Sequence, residues 1–102
     1  MTAPLTVGLI GLGIMGSRMA RALIDGGHRV IGFDPLARCR KAFKQDGGEA
    51  MRNNAEVARQ ADLLIASLPG PAALHAVVAE LAEVPPAKRG QILIETSTLT
   101  LQ

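Results

Sequence analysis

The 102 residues are 48% hydrophobic and 20% charged, with a formal net charge of +2, the composition of one ordinary globular domain rather than a disordered chain. No apolar run approaches the roughly 18 residues that span a bilayer, and two Phe with no Trp or Tyr give no stacking platforms for single-stranded nucleic acid. A nucleic-acid partner and a membrane are therefore not expected. Cys39 is the single cysteine, which rules out an internal disulfide and suits a reducing cytoplasm; the N-terminus has no basic region of a signal peptide. Residues 1–60 carry nine of the eleven Lys and Arg against five acids, a basic half that suits an anionic ligand.

The elements follow in order. "LTVGLI" (residues 5–10) is short, apolar and branched, the pattern of a buried strand. Past three glycines, Met15, Met19, Ala22 and Leu23 share one helical face and Arg18, Arg21 and Asp25 the other, until Gly26 and Gly27 stop the helix. Residues 29–34, "RVIGFD", form a second strand. Cys39, Ala42 and Phe43 then mark an apolar helical stripe ending at Gly47 and Gly48, and "EAM" a short third strand.

Asn53 with Glu56 has the spacing of a capping box opening a helix to Gln60. "DLLIASL" is a fourth strand. Gly70 and Pro71 start a helix whose apolar face is Leu74, Val77, Val78 and Leu81, and "QILIET" is a fifth strand. Apolar strands alternating with helices predict a Rossmann-like, doubly wound α/β domain over residues 1–102. Its sheet is mainly parallel and carries helices on both faces.

Gly11, Gly13 and Gly16 have G-x-G-x-x-G spacing between a strand and a helix, the setting that gives the motif its meaning. Gly11 makes a tight turn, Gly13 admits a pyrophosphate to the backbone, and Gly16 lets helix and strand pack closely. The helix N-terminus offers N–H groups to phosphate, with Leu12, Ile14 and Met15 contributing through backbone position. Asp34 lies 18 residues after Gly16, near the spacing of about 20 for an acid on the adenosine ribose. A carboxylate there repels a 2′-phosphate, which points to NAD over NADP. Asp34 before Pro35 is also a common turn opening, and Arg38 and Arg40 nearby could hold a 2′-phosphate or face solvent. His28 reads as a turn residue, His75 as a surface one. No His, Cys or carboxylate cluster suggests a metal, and no catalytic residue is assigned.

The stretch "VGLIGLGIMGSRMARALIDGGHRVIGFD", with G-L-G-x-M-G-x-x-M-A inside it, resembles the start of the β-hydroxyacid dehydrogenases, which include 3-hydroxyisobutyrate dehydrogenase, tartronate semialdehyde reductase and 6-phosphogluconate dehydrogenase. "ADLLIASLPGPAALHAVV" is similar to that family's strand ending in Leu-Pro, and "ILIETSTLT" to its D-x-S-T strand end, with Glu95 in place of the usual Asp. The resemblance favours the 3-hydroxyisobutyrate branch. It implies that Leu68 and Pro69 line the cofactor groove and that Ser97 and Thr98 lie near the nicotinamide.

The resemblance also implies a parent oxidoreductase that moves a hydride between nicotinamide and a small 3-hydroxy acid or its semialdehyde. The family's S-G-G loop, its catalytic lysine in G-x-x-x-K-x-x-N, its last Rossmann strand and its C-terminal helical domain would all fall after Gln102, and Lys41, Lys44 and Lys88 match none of that pattern. The expectation is thus an incomplete dinucleotide-binding domain that is inactive alone, with an exposed apolar edge that leads either to self-association, a homo-oligomer being one outcome, or to marginal stability. A stand-alone nucleotide-binding module without catalysis is the alternative.

Overall fold

The computed structural model describes residues 4–66 and 92–95, with Ala72, His75, Ala76 and Ala79 between them. Five strands form one parallel sheet, β1 (Thr6–Ile10), β2 (Arg29–Phe33), β3 (Glu49–Ala50), β4 (Leu63–Ala66) and β5 (Ile92–Glu95), in the order β3-β2-β1-β4-β5. Three helices link the first four strands: α1 (Ile14–Asp25), α2 (Ala37–Gln45) and α3 (Asn54–Gln60). Strand order runs outward from β1 in both directions, so the chain reverses its winding between β1 and β4. That reversal is where open α/β sheets leave a crevice for ligands.

Alternation along the strands sorts the core into two layers. Val7, Leu9, Val30 and Ile65 pack with Ala20 of α1 and Phe43 of α2, whereas Ile10, Ile31, Leu64 and Ala66 pack with Val57 and Ala58 of α3 and the following Ala61. Helices therefore cover both faces, as the sequence predicts. The close fit of α3 explains the glycine in β1. A Cβ on Gly8 would lie 2.6 Å from Val57 Cγ1 and 2.8 Å from the Ala61 Cβ. On the other face, a Cβ on Gly32 would lie 2.9 Å from Leu12 Cδ2 and 3.3 Å from Phe43 Cε2, so this glycine makes room for the side chain that docks α2.

Helix boundaries follow the expected signals. Gly27, at φ +89°, reverses the chain after α1. Asn53 caps α3, its Oδ1 accepting from the Glu56 N–H at 2.8 Å. The Glu56 carboxylate reaches back to the Arg52 N–H at 2.9 Å, one residue earlier than the usual box.

Two details of the helix faces differ from the expectation. Ala22 and Ala42 are exposed, whereas Met19 and Leu23 of the predicted α1 stripe pack against the core with Ala20 and Ile24, and Cys39 and Phe43 of the predicted α2 stripe do the same. The third strand holds Glu49 and Ala50 only, although the Met51 N–H still donates to Gly32 O at 2.8 Å. Ala72, His75, Ala76 and Ala79 are helical and exposed, which puts His75 on the surface as expected. The predicted apolar face of that helix lies outside the described residues.

Candidate functional site

Four strands end level with one another. Phe33, Ile10, Ala66 and Glu95 form one continuous row of register partners across β2, β1, β4 and β5. The glycine loop leaves β1 at this edge and Asp34 leaves β2 beside it. Leu68, Pro69, Ser97 and Thr98 lie outside the described residues, two to three positions beyond Ala66 and Glu95.

The three glycines have three separate backbone reasons. Gly11 has φ +95°, a conformation that a side chain resists, and its N–H donates to Phe33 O at 3.0 Å, tying the turn to β2. A Cβ on Gly13 would meet none of the described residues within 4 Å, so among them the backbone there is open to an incoming group. A Cβ on Gly16 would collide with the Gly11 carbonyl oxygen, so this glycine is what allows α1 to start so close to the strand end. Leu12 points inward and is 2% exposed, leaving its backbone as its part of the site. Ile14 and Met15 form the first residues of α1. Among the described residues no side chain caps this helix, so its first amides are left for a ligand or water.

Asp34 is buried, 9% exposed, and both carboxylate oxygens accept backbone hydrogen bonds. Oδ1 takes the Leu36 N–H at 2.8 Å, the turn expected of Asp before Pro35. Oδ2 takes the Leu12 N–H, 22 residues away, at 2.9 Å. An ionised carboxylate offers about four lone-pair sites, so two acceptor positions remain for hydroxyl donors. The turn reading and the ribose reading are thus compatible on one side chain.

Two further residues join the site: Ser17, which carries no signal in the sequence, and Arg40, which the sequence leaves between a 2′-phosphate and solvent. The Ser17 hydroxyl, in the first turn of α1, donates to Leu12 O at 3.3 Å. Arg40 donates from Nη1 to the Asp34 backbone oxygen at 2.7 Å, and its guanidinium lies 5.8 Å from the centre of the Phe33 ring. Arg38 faces solvent. The other end of β2 carries a separate polar cluster. Arg29 there holds Glu49 through two bonds of 2.8 and 3.0 Å and reaches Gln60 Oε1 at 3.3 Å. The Glu49 bond raises the Arg29 pKa, and the same bond lowers that of Glu49. His28 is engaged in its turn, Nδ1 accepting the Leu5 N–H at 3.1 Å.

Among the described residues no group of three or more His, Cys, Asp or Glu is placed to hold a metal ion, and no helix is long and apolar enough to cross a membrane.

Comparison with known proteins agrees with this geometry. The family profile for the NAD binding domain of 6-phosphogluconate dehydrogenase matches residues 6–102. A probable mitochondrial 3-hydroxyisobutyrate dehydrogenase of Dictyostelium discoideum is 36% identical over 95 residues, covering 92% of this chain and 30% of the relative. The structure of Mycobacterium tuberculosis 3-hydroxyisobutyrate dehydrogenase with L-serine superposes with a TM-score of 0.87 at 28% identity, over 94% of this chain and 32% of that one. A Streptomyces aurantiacus imine reductase gives a TM-score of 0.79 at 29% identity, over 93% and 32%. The chain spans about a third of the length of these relatives.

Proposed function

The chain belongs to the family of the NAD-binding domain of 6-phosphogluconate dehydrogenase, and from that premise we propose that it forms the dinucleotide-binding domain, residues 1–102, of an NAD-dependent oxidoreductase acting on a small 3-hydroxy acid or its semialdehyde. The observation that carries this reading is the division of labour among Gly11, Gly13 and Gly16 at the sheet's switch point, with Asp34 beneath the loop. In this reading the pyrophosphate lies over the open backbone of Gly13 and meets the first amides of α1. The adenosine ribose reaches the two free acceptor positions of Asp34, whose charge disfavours a 2′-phosphate and so favours NAD. Leu68, Pro69, Ser97 and Thr98 continue the groove toward the nicotinamide.

NAD supplies the hydride chemistry, and the chain's own residues supply position and electrostatics. No lysine of the 102 residues fits the resemblance's catalytic pattern, so in the proposed scheme the proton is moved at the substrate oxygen by a lysine elsewhere in the parent protein. This chain alone binds cofactor without turning substrate over. The 3-hydroxy acid class rests on relatives named 3-hydroxyisobutyrate dehydrogenase. The imine reductase likeness shows the same domain serving a differently named reaction, so the substrate is to be established by assay. Lone Cys39, half-buried, fits a reducing compartment, cytoplasmic in this proposal, whereas the Dictyostelium relative is named as mitochondrial.

Fluorescence titration with NADH and NADPH tests the reading. NADH binding tighter than NADPH supports it, and a folded protein that binds neither overturns it. A screen of small 3-hydroxy acids with NAD then tests the substrate class in the full-length protein, where absence of turnover alongside tight NADH binding would favour a binding module.

A further inference from the structure

We propose that Asp34 is a positioning residue for the glycine loop as well as a ribose acceptor, so that one carboxylate joins the adenosine end of the site to its pyrophosphate end. The inference rests on the cofactor reading above and goes beyond it in what it asks of Asp34.

The loop between β1 and α1 is tied to the end of β2 at two neighbouring points. The first is backbone to backbone, Gly11 N–H to Phe33 O at 3.0 Å. The second is the only one a substitution can remove, Leu12 N–H to Asp34 Oδ2 at 2.9 Å. Leu12 stands between the strained turn at Gly11 and the open backbone at Gly13, so its amide plane sets how Gly13 is presented. The Leu12 side chain, buried beside Gly32, holds the residue from the core side while Asp34 holds it from the edge.

Asp34 is in turn held by its own surroundings. Oδ1 is fixed by the Leu36 N–H at 2.8 Å, and the Asp34 carbonyl by Arg40 Nη1 at 2.7 Å. The carboxylate is therefore a braced acceptor whose orientation is set before any ligand arrives, the condition for preorganisation. A neutral amide in its place has one oxygen for two backbone donors; the local turn to the Leu36 N–H, which Asn forms as readily as Asp, keeps that oxygen, so Leu12 loses its acceptor.

The test separates the two roles by using a ligand with no ribose hydroxyls. ADP and 2′,3′-dideoxy-ADP are titrated into the unsubstituted protein and into Asp34→Asn, with circular dichroism as the check on folding. Were Asp34 a ribose acceptor only, the variant would bind ADP more weakly and dideoxy-ADP as before. Under the proposal both weaken, the dideoxy ligand by about tenfold. Amide hydrogen exchange supplies the second readout. Leu12 N–H exchanges faster in Asp34→Asn while Gly11 N–H, held by Phe33, does not. In the unsubstituted protein Leu12 N–H is as protected as Gly11 N–H, a comparison that stands even if the variant fails to fold.

Unchanged dideoxy-ADP affinity in a folded variant overturns the positioning role, and so does a freely exchanging Leu12 N–H in the unsubstituted protein. If the unsubstituted protein binds neither nucleotide, the cofactor reading fails instead. Leu12 exchange then decides by itself whether Asp34 holds the loop.

Discussion

Gly16 lies so close to Gly11 that a Cβ at position 16 would run into the Gly11 carbonyl oxygen. Both groups belong to backbone that other contacts fix: Gly11 is bonded to Phe33 O, and Gly16 is buried in the first turns of α1. Neither can give way without moving the strand end or the helix. Gly16→Ala is expected to cost about 1–3 kcal/mol, the usual range for forced overpacking. Thermal unfolding followed by circular dichroism should show a fall in Tm of about 4 °C or more for a domain of this size. An unchanged Tm would mean that the loop relaxes and that the close approach is not needed.

Gly13 should behave in the opposite way. Its φ of −73° is ordinary for any residue, and a Cβ there would meet none of the described residues within 4 Å. Gly13→Ala is therefore expected to leave Tm unchanged within about 1 °C. NADH affinity should fall about tenfold, because the added methyl occupies the space that a pyrophosphate needs for close approach. The two variants together separate a packing glycine from a binding glycine within one motif.

That separation was partly legible in the sequence and partly not. Motif spacing assigned the three glycines their roles, because the order strand, glycines, helix constrains what each can do. The strand and helix order was legible for the same reason, since β1, α1, β2 and α2 each carry a clear period and a clear stop. What could not be read was anything that depends on a partner far along the chain. The Leu12–Asp34 bond joins residues 22 apart, and the need for glycine at position 8 comes from Val57 and Ala61. Ala22 and Ala42 belong to the predicted stripes but face solvent, because alanine is small enough to suit either side, while Met19, Leu23, Cys39 and Phe43 of the same stripes pack against the core and Ala20 joins them.

The Asn53 cap gives a stability test away from the loop. Its side chain satisfies the Glu56 N–H at the start of α3, the helix that covers the face formed by Ile10, Ile31 and Leu64. Asn53→Ala should destabilise the fold by about 1 kcal/mol. Asn53→Asp, which keeps an acceptor at a helix N-terminus, should recover most of it. Urea unfolding curves of the two variants check this, and equal midpoints for alanine and aspartate would show that the cap bond does not contribute.

Glu49 gives the pH dependence. Its carboxyl is held below its ordinary value of 4.5 chiefly by the hydrogen bond from Arg29. A depressed folded pKa means stability that is fully present above about pH 4.5 and is lost as pH falls through the lower folded value. Arg29 is shifted upward by the same hydrogen bond, so its part is complete throughout the accessible range. Side chains that are 45% and 49% exposed limit the pair to about 0.5 kcal/mol. Glu49→Gln should therefore lower stability slightly at pH 7 and in low salt, with the difference from the unsubstituted protein vanishing toward pH 3. A difference that persists at pH 3 would rule out the charge as its source.

Arg40 bears on cofactor choice. Its guanidinium is anchored to the Asp34 carbonyl at 2.7 Å and lies over the Phe33 ring, which puts a fixed positive charge at the β2 end where a 2′-phosphate would arrive. Asp34 puts a negative charge at the same end, so the two residues oppose each other in NADPH binding. NADH has no group to feel the difference beyond its hydroxyls. Removing the cation by Arg40→Ala should weaken NADPH several-fold, the effect of about 0.5–1 kcal/mol for a partly exposed charge, while NADH affinity falls by less, because the Leu12 and Leu36 N–H groups still hold the Asp34 carboxylate itself. The ratio of the two dissociation constants, measured by fluorescence titration at low salt, is the readout. A ratio that does not move would place Arg40 outside the cofactor's reach and leave its bond to Asp34 as a contact that holds α2 to the end of β2.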